Sequence, residues 1–96
     1  MIRHTVVFRL KHEQDSLKEK NFLDAARQLA TITSVNNFEC LQQISPKNNF
    51  HFGLSMEFDT QEGYDFYNDH PDHQNFVQKL WIPEVEDFME IDYRII

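Results

Sequence analysis

Three segments of the chain alternate between apolar and polar positions, the period of two that is typical of β-strands. They are residues 2–10, 50–58 and 86–95. In the second segment, one face is entirely apolar and consists of Phe50, Phe52, Leu54, Met56 and Phe58. In the first, both faces are partly apolar, as expected for a strand that is covered on both sides. A weaker strand is predicted near residues 37–44.

Helical signals separate these strands. Ser16 and Glu19 have the spacing of a capping box. Apolar residues then recur every three or four positions, which predicts a helix of about 16 residues that ends near Thr33. Thr60 is a suitable N-cap for a second helix. After it, Pro71 suits a helical N-terminus, so a short helix to about Leu80 is predicted, which Pro83 would end.

The predicted order is β-α-β-β-α-β, the split βαβ pattern. We therefore expect one α+β domain over residues 1–96, ferredoxin-like, with an antiparallel sheet and both helices on one face. The residues expected on the other face are Thr5, Val7, His51, Gly53, Ser55 and Phe88. That mixed surface is unlike an ordinary solvent-facing sheet. We expect a second copy to cover it, which gives a homodimer built as a dimeric α/β barrel.

Charge and composition narrow the function classes. The net charge is −7, and residues 49–96 hold eleven acidic and two basic residues. Such a surface repels phosphate backbones, so nucleic acid is not an expected partner. Cys40 is the only cysteine, which excludes an intrachain disulfide and fits a small buried residue. No signal-peptide or membrane-spanning stretch is present, so no membrane association and a cytoplasmic location are expected.

Several short blocks resemble a known family, the stress-responsive A/B barrel (Dabb) domain. The blocks are residues 2–8, residues 56–59, Tyr67 with residues 70–76, and residues 91–93. Their order and spacing match the family over nearly the whole chain. The resemblance implies ferredoxin-like subunits whose sheets pair into a dimeric barrel. The family includes a polyketide cyclase and many members without a known activity, so the resemblance implies an architecture more firmly than a reaction.

The resemblance also implies candidate site residues. The cyclase type uses a His-Tyr pair near the second helix, and these positions fall on His73 and Tyr67. A first-strand histidine of that type falls on His4, and a third-strand histidine falls on Phe52, which cannot titrate. A neutral imidazole can take a proton, and a phenol can donate a hydrogen bond to an enolate oxygen.

His4, Tyr67 and His73 are expected to converge in a pocket between the helices and the sheet. Small Ala26 would leave room there, and the apolar walls would be Phe22, Leu23, Phe52 and Leu54. The alternative is that the two histidines hydrogen-bond each other or the backbone, with Tyr67 filling the core. No metal-ligand spacing such as HxxxH or CxxC is present, so neither a metal nor a cofactor is predicted.

Three functional hypotheses follow. The leading one is binding of a small apolar or aromatic metabolite in that pocket. The second is an acid–base enzyme, such as a polyketide cyclase, that uses His73 and Tyr67. The third is a non-catalytic protein, structural or linked to stress, whose activity is self-assembly. A deep pocket at His4 and His73 would favour the first two, and a sealed interior filled by phenylalanine would favour the third.

Overall fold

A four-stranded antiparallel sheet with the helices on one face forms the protein, which a computed structural model describes over residues 1–96. The spatial order of the strands is β2-β3-β1-β4. The strands are β1 (Ile2–Leu10), β2 (Asn36–Gln42), β3 (Phe52–Phe58) and β4 (Val85–Tyr93). The predicted ferredoxin-like α+β fold is confirmed, although β2 and β3 are each two residues shorter at the connection between them than the alternation indicated.

The first helix, α1 (Leu17–Arg27), continues into a 3₁₀ turn over Gln28–Thr31. The second helical region begins with α2 (Gln61–Asp69) and α3 (Pro71–Phe76). It then widens into a π-helical turn at Val77–Trp81 and closes with α4 (Ile82–Glu84).

Side-chain caps set the helix starts. The Ser16 hydroxyl accepts a hydrogen bond from the Glu19 amide at 3.2 Å, and the Glu19 carboxylate accepts from the Asp15 amide at 3.2 Å. Thr60 caps α2 through the Gly63 amide in the same way. These contacts satisfy amides that have no partner within the helix, and they confirm the predicted starts.

Pro83 does not end the helical region, contrary to the prediction. It lies inside the last helical turn, near its N-terminus. Proline has no amide hydrogen to donate, and its ring crowds the carbonyl four residues earlier, here that of Lys79, which lies in the π-helical turn. The π-helical turn before Pro83 was not predicted, because a π turn leaves no recognisable pattern in the spacing of apolar residues.

The core lies between the sheet and the helices. Phe8, in the second half of β1, is fully buried. Its ring centroid lies 5.7 Å from the rings of Phe22 and Phe52 and 5.1 Å from that of Trp81. Phe76 extends the same aromatic cluster at 5.4 Å from Phe22. These rings fill the space between α1 and the sheet.

The orientation of β4 corrects the expected position of Phe88. In the antiparallel pairing of β1 and β4, Phe8 lies opposite Phe88 and His4 lies opposite Asp92. Directly opposed residues share one face of a sheet, so Phe88 lies on the helix side and not on the uncovered face. The apolar residues that β4 presents on the uncovered face are Met89, Ile91 and Tyr93.

Candidate functional site

A cavity of about 530 Å³ opens between the sheet and the second helical region. Strands β1, β3 and β4 form one side of it, and α2, α3 and the π-helical turn form the other. Most of its lining is apolar, including Val6, Leu29, Leu54, Met56, Phe76 and Val77. Two half-exposed side chains, Ile82 and Phe88, lie where the cavity meets solvent.

The structure brings the three predicted polar residues together at this cavity. His4, Tyr67 and His73 all contribute to its lining, and so does Leu54 among the predicted walls. The ring centroid of Tyr67 lies 6.2 Å from that of His4 and 4.4 Å from that of His73. Tyr67 is therefore close to both imidazoles.

The other predicted wall residues are elsewhere. Phe22, Ala26 and Phe52 are buried in the core, and Leu23 packs against it, but none of the four lines the cavity. The reason is the aromatic cluster around Phe8, which fills the space below α1. The cavity is thereby displaced towards the second helical region and β4.

His4 is held by two partners that the sequence did not indicate. Its Nδ1 lies 2.6 Å from Asp92 Oδ1 and 2.8 Å from the Tyr64 hydroxyl. The Tyr64 hydroxyl also donates to Asp92 Oδ2 at 2.9 Å. A carboxylate can only accept, so His4 Nδ1 carries the proton and donates it to Asp92. In the neutral ring, Nε2 is then left as the acceptor.

His73 is fixed in the same tautomer by the backbone. Its Nδ1 lies 3.1 Å from the carbonyl oxygen of Asn68, which again can only accept. Burial lowers the pKa of His73 below its ordinary value, and the backbone carbonyl only partly opposes this effect. His73 is therefore a neutral base at neutral pH, with Nε2 as its proton acceptor. The two histidines do not hydrogen-bond each other. Only His73 bonds the backbone, which was one of the predicted alternatives.

Tyr67 supplies an uncommitted hydroxyl. Its side chain is almost fully buried, yet its hydroxyl makes no hydrogen bond within the chain. Burial raises the pKa of Tyr67 well above its ordinary value, and the negative charge of Glu90 adds to this rise. The phenol therefore stays protonated and is a hydrogen-bond donor towards the cavity that it lines.

Sequence reasoning missed Tyr64, Asp92 and Glu90. Both acidic residues share a strand face with Phe88, whose expected position is the uncovered side of the sheet. The register places them opposite His4 and Val6, on the cavity side. In the sequence, the two acidic residues form only the polar half of an alternating strand pattern. That pattern does not tell which face of the strand packs against the helices.

His70 and Cys40 lie outside the cavity. The Nδ1 atom of His70 accepts a hydrogen bond from the Asp72 amide and so caps α3. Cys40 is half-buried on β2, and burial raises the pKa of its thiol.

None of the helices has the length and apolar character that a membrane-spanning segment requires.

Residues 2–95 match the family model of the stress-responsive A/B barrel domain, Dabb. The chain belongs to this family. It is 59% identical to a Dabb family protein from Mesorhizobium loti whose crystal structure has a ferredoxin-like fold. The two structures align with a TM-score of 0.96 over 99% of this chain and 96% of that one.

More distant similarities involve proteins of different length and activity. The chain is 28% identical over 97% of its length to a stress-response A/B barrel domain-containing protein of Arabidopsis thaliana, but it spans only 36% of that protein. A dimeric ferredoxin-like protein of unknown function from Thermobifida fusca aligns with a TM-score of 0.81 at 23% identity, over 98% of this chain and 90% of that one. Hydroxynitrile lyase from Passiflora edulis aligns with a TM-score of 0.86 at 16% identity, over 99% and 93%. The last two similarities concern the fold alone.

Proposed function

We propose that this Dabb domain binds a small, largely apolar molecule, with at least one hydrogen-bonding group, in the cavity at His4 and His73. The observation that carries the proposal is the cavity itself. Its volume of about 530 Å³ lies within the roughly 300–1,000 Å³ common for small-molecule sites. Its apolar walls converge on a few polar groups, which is the usual composition of such sites. An open cavity also argues against the third hypothesis, self-assembly alone, which called for a sealed interior.

The polar groups define what the ligand must offer. The Tyr67 hydroxyl can donate to a ligand oxygen, and Nε2 of His73 can accept a proton from a ligand hydroxyl. A molecule with a ring or short chain and one carbonyl or hydroxyl group fits this pattern. The apolar walls then contribute binding free energy in proportion to the apolar area that they remove from water.

A cavity-filling variant tests the binding proposal. Val77 lies in the π-helical turn, lines the cavity and is only half-buried, so Val77→Trp can block the space without disrupting the core. Leu17→Trp is the matched control, because Leu17 is 71% exposed on α1 and remote from the cavity. A library of small aromatic alcohols and ketones is screened by ligand-observed NMR. We expect hits with the parent chain and the control, and their loss with Val77→Trp. Hits that persist equally in Val77→Trp would refute the site.

A second candidate function, acid–base catalysis at the same cavity, is favoured by the state of three side chains. Both His4 and His73 use Nδ1 as a donor, so each neutral ring has Nε2 free to accept a proton. Tyr67 is held as a protonated donor beside them. A base and a phenol at one apolar site can remove a proton next to a carbonyl and stabilise the enolate oxygen that forms.

Proton exchange tests this activity without knowledge of the substrate. Exchange of the α-protons of 2-indanone in D₂O is followed by proton NMR, with and without the protein. We expect the protein to accelerate exchange, and His73→Gln and Tyr67→Phe to remove the acceleration. His70→Gln serves as the control, because His70 caps α3 and does not line the cavity. Equal acceleration by all four proteins, or by none, would refute the activity.

We also propose that the chain forms a homodimer through the uncovered face of its sheet. On β4 this face presents Met89, Ile91 and Tyr93, which are 48%, 38% and 51% exposed. Half-buried Val7 lies opposite Met89 on the same face. A row of exposed apolar residues on one sheet face is typical of a contact surface. The Thermobifida fusca protein of the same fold is itself dimeric, which supports this arrangement.

A further inference from the structure

We propose that the cavity selects uncharged or positively charged ligands and excludes anions such as carboxylates and phosphates. This inference rests on the proposed binding function and adds the charge class of the ligand. It follows from the ionisable side chains of the lining, which are the Glu90 carboxylate, the imidazoles of His4 and His73 and the phenols of Tyr64 and Tyr67.

The lining contains no cationic side chain. Of the sixteen residues that line the cavity, none is lysine or arginine, and Glu90 is the only one with a carboxylate. Glu90 lies opposite Val6 on the helix side of β4. Its charge contributes to the raised pKa of both Tyr64 and Tyr67 and acts on His73 as well. The Glu90 field therefore reaches the groups at the polar end of the cavity.

The histidines do not compensate for this charge. His4 donates to the Asp92 carboxylate at 2.6 Å, so whichever proton state His4 adopts, the pair carries no net positive charge. Burial lowers the pKa of His73, which keeps that ring neutral at neutral pH. The polar end of the cavity thus carries a net negative charge once Glu90 is included.

The nearest arginines on β1 are directed to other carboxylates. Arg3 bonds Glu57 at 3.1 Å, and Arg9 bonds Glu86 at 3.0 Å. Neither arginine lines the cavity. An anion that entered would lose its hydration shell among apolar walls and would find no cation to replace it, which is strongly unfavourable.

The same features tolerate a cation. The rings of Trp81 and Phe88 both line the cavity with their centroids 5.5 Å apart, and Glu90 lines it as well. Aromatic faces attract cations through the ring quadrupole, and a carboxylate adds direct attraction. A protonated amine on an apolar body is therefore accepted where a carboxylate on the same body is not.

Three molecules of one skeleton test the charge class by calorimetry at pH 7.5: 2-naphthylmethanol, 2-naphthylmethylamine and 2-naphthoate. We expect the alcohol and the amine to bind at least tenfold more tightly than the carboxylate. Glu90→Gln should reduce the ratio of the carboxylate's dissociation constant to the amine's by threefold or more. Asp87→Asn is the matched control, because it removes one charge from the same strand outside the cavity and Asp87 pairs with no cation. It should leave the ratio unchanged.

The outcomes separate this inference from the proposal on which it rests. If 2-naphthoate binds as tightly as 2-naphthylmethanol, the charge selection is refuted and the binding function stands. If Glu90→Gln and Asp87→Asn change the ratio equally, selection comes from the overall charge and the cavity assignment is refuted. If none of the three molecules binds up to millimolar concentration, the proposed binding function itself is contradicted. Circular-dichroism melts of both variants confirm that each is folded.

Discussion

His4 and Asp92 are 88 positions apart in the chain, yet the Nδ1 atom of His4 lies 2.6 Å from the Asp92 carboxylate. They meet because β1 and β4 are neighbours in the sheet, with these two residues directly opposed. The contact is shared with the Tyr64 hydroxyl, which bonds both partners. A buried imidazole is thereby oriented by a carboxylate, an arrangement that fixes its tautomer at the wall of the cavity.

Removal of the Asp92 carboxylate should release His4. Asp92→Ala leaves Nδ1 with only the Tyr64 oxygen, so we expect the tautomer protonated at Nε2 to appear in long-range ¹H–¹⁵N NMR spectra. Because the Asp92 side chain is 44% exposed, we expect a loss in unfolding free energy of only about 1 kcal/mol. Asp87→Ala, on the same strand, is the control, since Asp87 bonds only the adjacent Phe88 amide. An unchanged His4 tautomer in Asp92→Ala would contradict this role.

His73 should make stability depend on pH. Burial lowers its pKa below the ordinary value of 6.5. As the pH falls through that value, the unfolded ring takes a proton that the folded ring resists, so the unfolded state binds more protons. The contribution of the buried neutral ring is complete above about pH 7 and is lost as the pH falls towards the lower, folded pKa.

The measurement compares urea unfolding of three proteins at several pH values from 7 to 5. His73→Gln should lose less stability over this range than the parent chain. The control is His51→Gln, whose half-buried ring does not line the cavity; it should follow the parent chain. A steeper loss in His73→Gln would show that the sign is wrong.

Phe52 should be essential to the core. It is 9% exposed on the helix-facing side of β3, with its ring centroid 5.7 Å from that of Phe8. Phe52→Ala should lower the unfolding free energy by roughly 3–5 kcal/mol, since it leaves a cavity among packed rings. Phe66→Ala removes the same atoms from a side chain that is 50% exposed, and it should cost less than about 1 kcal/mol. Similar losses in the two variants would mean that β3 does not form the core.

The proposed dimer should dissociate when charge is placed on the uncovered sheet face. The parent chain should sediment at about twice 11.6 kDa at micromolar concentration. Ile91→Glu puts a carboxylate in the centre of the apolar row on β4 and should give a monomer. Leu17→Glu is the control, because Leu17 is exposed on α1, away from this face. A dimer that survives Ile91→Glu would have to use another surface.

Three polar residues of the candidate site could be predicted from the sequence, but the partners of His4 could not. His4, Tyr67 and His73 were identified through resemblance to the Dabb family, and all three line the cavity. The predicted walls were largely displaced, because the packing of the aromatic cluster around Phe8 decides where space remains. Asp92 and Tyr64 could not be identified from the sequence, because only their contacts with His4 connect them to the cavity.

The sequence by itself determined the local elements of this protein. Strand alternation and helix caps depend on residues at most four positions apart, so their spacing is written directly in the chain. The tertiary structure alone decided which side of β4 faces the helices. An amphipathic strand has the same alternation in either orientation, and only its register with β1 places Asp92 on His4 and Met89 on the uncovered face. The cavity and its charge follow from that choice, because both are made by residues brought together from distant parts of the chain.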